Sequence, residues 1–548
     1  MTAVGTGPES RPGAEVAPEA APAATTGAAT DAATEAATGA AARTDGWRRL
    51  SPRMLAVHPV QELPRAMPAL LGVFAVGHSR GNGQLWSLLG VGIVVGLAML
   101  RWFTTSYRIT ADQVQVKRGL VRRRVLSVPR DRVRTVDVTS HALHRVLGLA
   151  RVTVGTGQSD RKGDRGLRLD GLSTTDAGRL HEELLHRDPG PVGAGAPAGD
   201  AARAAVAGLT RPAGTELAAL RPAWFRYAPF SLSGLVSIGV VAGFVWRAAN
   251  EAHVNVFRWG PLRAFGGHLS RVPVSLAAAE LVLLTLTVAS IAATVGYVLA
   301  FWRFRLTRRT VGAGGTLHVT RGLLTTRATT IEERRLRGVE ISEPLLLRSV
   351  GGARCIAIAT GLRVGRGAER GGSLLLPPAP RAEAERVAAA VLRTTEPVAC
   401  ALTGRDRRAR WRRYVRALVA AAIVVAAVAG AAWWFGWPVW VVPVSLVTVP
   451  AAVAVAEDRY RALGHAVTGG YLVSRLGSLV RRRYVLSADG IVGWRLHRSF
   501  FQRRTGLATL VATTAAGRQR YAVPDVDAAV AVRIAHEAVP GLLEPFLV

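Results

Sequence analysis

Two patterns of hydrophobic and polar residues alternate along the chain. Long apolar runs occupy 66–77, 85–103, 228–246, 281–302, 415–435 and 437–456. All but the first approach the ~20 residues that cross a bilayer core as a helix. Aromatic residues gather at their ends, among them Trp86, Trp102, Trp224, Tyr227, Trp246, Trp302, Trp411, Trp433, Trp434, Trp437 and Trp440. Such side chains favour the headgroup layer, where one edge stays wet. The runs pair into three hairpins, with weakly charged connections near 78–84 and Gly436. Arginines at 405, 407, 408, 410, 412 and 413 mark the start of the fifth run as cytoplasmic. This predicts a multi-pass cell-membrane protein with both termini and all three inter-hairpin regions in the cytoplasm. The 247–271 connection is then external, and its few arginines run against the scheme.

The regions between hairpins carry the other pattern. Period-two alternation at Val114-Gln115-Val116 and Val133–Val138 predicts half-buried strands. Amphipathic helices are predicted over 175–186, 380–392 and 525–538, the first with Thr174 or Thr175 as N-cap. The three regions repeat one another. Arg118-Gly119-Leu120, Arg321-Gly322-Leu323 and Arg475-Leu476-Gly477-Ser478-Leu479 mark one turn. An Arg-x-x-Gly-x-Ala element follows from Arg145, Arg348 and Arg503, which aligns Gly148, Gly352 and Gly506. Short apolar strands at 167–169, 374–376 and 521–523 then lead into the helices. Each unit is therefore several antiparallel strands closed by one C-terminal helix.

The resulting fold class is a multi-domain membrane protein in which α-helical transmembrane hairpins alternate with β-rich domains. The divisions are a disordered tail at 1–45, hairpin one at 66–103 and unit one at 104–187. A linker at 188–220 precedes hairpin two at 228–302 and unit two at 303–395. A basic linker at 396–414 precedes hairpin three at 415–456 and unit three at 457–548. The tail is rich in Ala, Thr, Gly and Pro and cannot bury enough apolar surface to offset its ordering entropy. No basic-then-apolar secretory signal is visible, so insertion is expected to use an internal segment.

Charge changes this picture less than its size suggests. The 548 residues carry a net charge of +33, yet mean hydropathy is +0.22. Lys117 and Lys162 are the only lysines, so part of the arginine excess reflects coding bias, and the rest fits cytoplasmic flanking of membrane segments. Nucleic-acid binding is not expected, because neither aromatic-interleaved basic strands nor a recognition helix is present. Cys355 and Cys400 lie far apart and are expected as reduced thiols, not a zinc site or disulfide framework.

The segment from Val125 through Pro129 to Val136, followed by Leu147-Gly148-Leu149-Ala150, resembles the bacterial pleckstrin-homology (PH) domain of YdbS/YdbT-type membrane proteins. The resemblance covers the chain from about residue 60 onward. The family's glutamine near Thr135 is absent, and its proline is replaced by Glu332 in unit two and Ala488 in unit three. The resemblance implies PH-like domains of antiparallel sheet plus C-terminal helix, and a role in envelope maintenance or stress tolerance.

No catalytic, cofactor or metal constellation is legible, so the chain is read as non-enzymatic. His141 and His144 lack a ligand partner at suitable spacing and are expected at the surface. Glu332-Glu333 reads as a solvated turn, and Gly312–Gly315 as a hairpin turn lacking the Lys-Ser/Thr of a phosphate loop. Glu280, at the edge of the fourth run, is placed at the interface. PH folds often bind anionic lipid on their early strands. That implies a site at Lys117, Arg118, Arg122, Arg123 and Arg124 in unit one, and Arg481, Arg482 and Arg483 in unit three. General attraction to the anionic inner leaflet, about 1 kcal/mol per basic residue, is the simpler account of the same residues. Expected partners are the bilayer and anionic inner-leaflet lipids, with a membrane protein or a homo-oligomer beside them. The alternative function is a small-solute transporter or channel component, which the scarcity of polar residues in the apolar runs disfavours.

Overall fold

The computed structural model describes residues 47–54, 99–155, 167–185, 214–230, 260–362 and 372–544. Gaps fall at 101–102, 111, 119–123, 130–134, 141, 312–313 and 405; isolated helical positions at 88, 92, 96, 243 and 247 are also described. The expected tail at 1–45, the runs at 66–77 and 228–246 for all but a few positions, most of 85–103, and His141 lie outside the described residues.

Unit one contains β1 (Arg48–Arg49), β2 (Ser106–Ile109), β3 (Gln113–Arg118), β4 (Arg124–Pro129), β5 (Thr135–Ser140), β6 (Leu149–Gly155) and β7 (Leu167–Ser173). Unit two contains β8 (Thr215–Ala219), β9 (Arg305–Val311), β10 (Gly314–Arg321), β11 (Thr326–Glu332), β12 (Leu336–Pro344), β13 (Gly352–Ala359) and β14 (Leu374–Pro380). Unit three contains β15 (Gly464–Thr468), β16 (Tyr471–Leu476), β17 (Val480–Ser487), β18 (Gly493–His497), β19 (Leu507–Thr513) and β20 (Arg520–Asp527). Closing helices follow at Thr174–Leu185, Arg381–Leu392 and Ala528–Ala538. Ser173, not Thr174 or Thr175, caps the first: its Oγ accepts from Asp176 N at 3.0 Å.

The sheets do not respect the boundaries between units. Strand orders are β1-β2-β3-β4, β7-β6-β5-β11-β10-β9-β8, β14-β13-β12-β17-β16-β15 and β18-β19-β20, with antiparallel neighbours throughout. The first half of units two and three thus hydrogen-bonds to the second half of the unit before. Side chains hold each unit's own halves together. In unit one, Tyr107, Val114, Val116 and Val128 pack on Val136, Val152, Val154, Leu167 and Leu169, with Ala177 and Leu180 of the closing helix. Each fully buried valine or leucine contributes about 1.5–3 kcal/mol, so this packing dominates the stability of a unit.

Repeated backbone geometry fixes the alignment of the units. Gly148, Gly351 and Gly506 follow the short helices Ala142–Val146, Leu345–Ser349 and Phe500–Arg504 with φ of +67°, +72° and +71°. Their carbonyls accept from the first residue of each closing helix: Thr174 N at 3.0 Å, Arg381 N at 3.0 Å and Ala528 N at 3.1 Å. Gly351, not Gly352, is therefore the equivalent of Gly148 and Gly506. Equivalent residues are 203 apart between units one and two (Gly148 to Gly351) and 155 apart between units two and three (Gly351 to Gly506). The same offsets place Pro129 opposite Glu332 and Ser487, the last residues of β4, β11 and β17, so Ser487 and not Ala488 replaces the proline.

Among the described residues, three helices are long and apolar enough to cross a membrane: Val274–Phe301, Arg407–Phe435 and Val441–Arg461. The second begins before the predicted 415, because the Asp406 side chain caps it by accepting from Arg408 N at 2.9 Å. The third is broken into Val441–Ser445 and Thr448–Arg461, with Pro443 and Pro450 near the break. The 247–271 connection contains a further helix, Gly260–Leu269.

Candidate functional site: the base of the hairpins and the rim around it

A short strand, or in unit three a single bridge, precedes each predicted hairpin and pairs with the first strand after it. Arg48 and Arg49 face Tyr107 and Ser106; Thr215 through Ala219 face Arg308 through Arg305; Thr403 bridges His465. The last bridge exchanges two hydrogen bonds of 2.9 Å, Thr403 N to His465 O and His465 N to Thr403 O. The chain thus leaves and re-enters the β-structure at one edge in all three units.

The helix ends are rooted in the units. Tyr297 and Phe301, in the last two turns of Val274–Phe301, are buried, and Tyr297 Oη donates to Pro378 O at 2.7 Å. Trp224 of the 3-10 turn Pro222–Tyr227 joins the same core. In unit three, Arg412 and Arg413 of the helix's second turn pair with Asp525, Arg413 at 2.7 Å, while Gln502 Nε2 donates to Asp525 at 3.0 Å. Asp525 is buried and holds a positive φ of 58°. Glu280 lies in the second turn of Val274–Phe301, at the far end from the β-structure, with its carboxylate Oε2 3.1 Å from His268 Nε2.

Around this base lies a rim of exposed apolar side chains. The turn after β10 caps the helix, Gly322 N donating to Trp302 O and Leu323 N to Leu299 O, each at 2.9 Å. Leu324 beside it is exposed, as is its equivalent Leu479, at 67%. The short helices add Leu143 and Val146, Leu345 and Leu346, and Phe500 and Phe501, the last 68% exposed. Arg145 Nη1 donates to Leu323 O at 2.9 Å, and Arg348 Nη1 to Ser478 O at 3.5 Å, so the short helices of units one and two are each tied to the next unit's turn. A cleft of about 380 Å³ lined by Asp406, Arg407, Arg408, Trp411 and Thr505 opens beside the third hairpin.

The basic residues singled out in the sequence divide into two groups. Lys117 lies on β3 with its Nζ 5.5 Å from the Trp47 ring centroid. Arg118 and Arg124 face each other across β3 and β4; their side chains, and Arg122 and Arg123 altogether, lie outside the described residues. Arg481, Arg482 and Arg483 are instead engaged within the chain. Arg481 pairs with Asp458 at 3.1 Å and Arg482 with the buried Glu340 at 3.2 Å. Arg483 donates to Cys400 O at 3.1 Å and Pro397 O at 3.3 Å. They stitch unit three to unit two and to the linker, because β17 lies against β12.

Other expectations change for the same reason. Glu333 is not a solvated turn residue: it pairs with Arg308 and, at 2.7 Å, with Arg393. His144 is buried beneath its short helix and not at the surface. Both cysteines are free; burial pushes the Cys355 thiol up to about 12, which leaves it unreactive. No cluster of three or more His, Cys, Asp or Glu residues suited to a metal occurs among the described residues.

The fold and this base define a class: tandem antiparallel β-units, each closed by a C-terminal helix, with long apolar helices leading into units two and three. The family model for the bacterial PH domain matches residues 65–188, 271–395 and 413–538, and the chain belongs to that family. All three matches take in predicted apolar runs as well as the β-unit that follows. No curated protein and no solved structure matches the chain.

Proposed function

We propose that this is a non-enzymatic integral protein of the cell membrane that holds three PH modules against the cytoplasmic face, as YdbS/YdbT-type proteins do. The modules would serve contact with lipid or with another membrane protein, in envelope maintenance or stress tolerance. The carrying observation is the β-clamp at the base of each hairpin, which returns the chain to the side it left. Hairpins closed this way cross the bilayer an even number of times, and all units share one face. The arginines flanking the third hairpin favour the cytoplasm for that face.

Membrane contact in this reading comes from the apolar rim and the Arg407, Arg408 and Trp411 cleft, with Lys117 and its neighbours adding attraction to anionic headgroups within a Debye length of about 8 Å. The test uses the full chain in lipid nanodiscs, carrying Phe501→Cys labelled with an environment-sensitive dye and Cys400→Ser to remove the accessible native thiol. Quenching by lipids brominated near the headgroup, stronger in anionic than in neutral discs, is expected. A dye as water-exposed as in the free label would remove the rim from the membrane contact.

A further inference from the structure

The two inter-unit junctions are copies of one another. In the first, Ser140, Thr139, Val138 and Asp137 of β5 face Thr326, Arg327, Ala328 and Thr329 of β11. In the second, Glu343, Ser342, Ile341 and Glu340 of β12 face Arg481, Arg482, Arg483 and Tyr484 of β17. The offsets of 203 and 155 residues that align the units map one register onto the other without a shift. Arg145 and Arg348, also equivalent, each reach the next unit's turn carbonyl.

Among the described residues, one half-junction of each kind is left without a neighbouring strand. β4 is the unit-one equivalent of β11 and β17, and among the described residues it pairs with β3 alone. β18 is the unit-three equivalent of β5 and β12, and among the described residues it pairs with β19 alone. Both open edges expose apolar side chains, Val125 and Leu126 on β4 and Leu496 on β18. Unpaired edges of this kind template further pairing. Arg503, the third equivalent of Arg145 and Arg348, is exposed, and its side chain makes no hydrogen bond or ion pair among the described residues.

We propose that copies of this chain associate head to tail, β18 of one copy pairing antiparallel with β4 of the next, as a continuation of the internal junctions. The internal register then sets Gly493 opposite the partner's Val128, Arg495 opposite the partner's Leu126, and Leu496 opposite the partner's Val125. Such a contact is heterologous and generates rings or filaments. All units root their hairpins on one side, so a unit supplied by a second copy fits the same bilayer. The outer junction is weaker than the inner ones. Asp137 and Glu340, which bond across the internal junctions, are replaced by Arg495, and His497 comes opposite the partner's Arg124. Screening by salt, or anionic lipid between the copies, therefore strengthens the association.

The test mixes two full-length single-site variants in one membrane, Val125→Cys and Leu496→Cys, each in a Cys400→Ser background that leaves only the buried Cys355. Directly opposed residues in antiparallel strands lie about 4.5–5.5 Å apart at Cα, within disulfide reach. Mild oxidation should give a cross-linked dimer from the mixture and little from either variant alone, and Leu126→Arg, which sets a like charge opposite Arg495, should reduce the yield several-fold. Native mass spectrometry of the unmodified chain should show multimers whose share rises with salt. A monomer at every concentration overturns the proposal and makes both edges capping surfaces. Multimers without the mixed cross-link also overturn it, because association then uses another face.

Discussion

The basic hairpin of unit one and the arginine run of unit three occupy the same place in the repeat and do different work. Lys117, Arg118 and Arg124 lie on β3 and β4, at the open start of the array. Arg481, Arg482 and Arg483 lie on β17, inside the array, with partners on unit two, the linker and the third hairpin. Arg124 on β4 and Arg482 on β17 are equivalent, so the same position belongs to a candidate surface in one unit and to a junction in another. What decides is whether a preceding unit supplies a neighbouring strand.

Four changes sharpen that contrast. The largest effect is expected from Glu340→Ala. It leaves Arg482 and Arg518 without the buried carboxylate they share at 3.2 and 3.4 Å, and should cost about 3 kcal/mol. Thermal unfolding in detergent should fall by several degrees, whereas Lys117→Gln should leave it unchanged. Equal effects would erase the distinction between junction and end.

Gly477→Ala comes next. Its φ of +109° and a Cβ position only 2.0 Å from Val480 O, matched by Gly322 at +108° and 2.0 Å from Thr325 O, make any side chain there strained. Roughly 1–3 kcal/mol is expected, read by the same melt. The matching Gly322→Ala should behave alike if the units are truly equivalent.

The third effect is on the clamp of hairpin three. Burial holds the His465 imidazole below its ordinary value, so the unfolded chain takes up the proton first. Stability from this group is complete above pH ~6.5, the value of a free imidazole, and is lost as pH falls from there through the lower folded-state value. His465→Gln should flatten the melting temperature between pH ~7 and ~5.

The smallest effect belongs to the open end. Lys117→Gln should weaken contact of unit one with anionic lipid by about 1 kcal/mol or less, an effect lost at high salt. Fluorescence of a label on unit one in anionic and neutral nanodiscs reads it.

Much of this architecture was legible in the sequence, and what was missed has common causes. Runs four to six, the closing helices and the Gly-Leu turn carry strong local signals: length, helical periodicity and a glycine where φ must be positive. The clamp strands were not legible. β1 is two residues long, β8 five, and Thr403 a single bridge, too short to alternate, so 188–220 and 396–414 read as linkers. Strand pairing between units was invisible because periodicity records which face is buried and not which neighbour a strand takes. The roles of Arg481 to Arg483 were missed for that reason. The one-residue displacements at Gly352 and Ala488 arose where repeated glycines and a lost proline left local sequence ambiguous, and backbone hydrogen bonds resolved them.

The central claim is that each hairpin leaves and returns on one side, with every module sharing the cytoplasm. Reporter fusions at residues 200, 260, 400 and 548 of the full chain in its own membrane test it most directly. The account predicts inside signals at 200, 400 and 548 and an outside signal at 260. An inside signal at 260, or an outside signal at any of the other three, would contradict it.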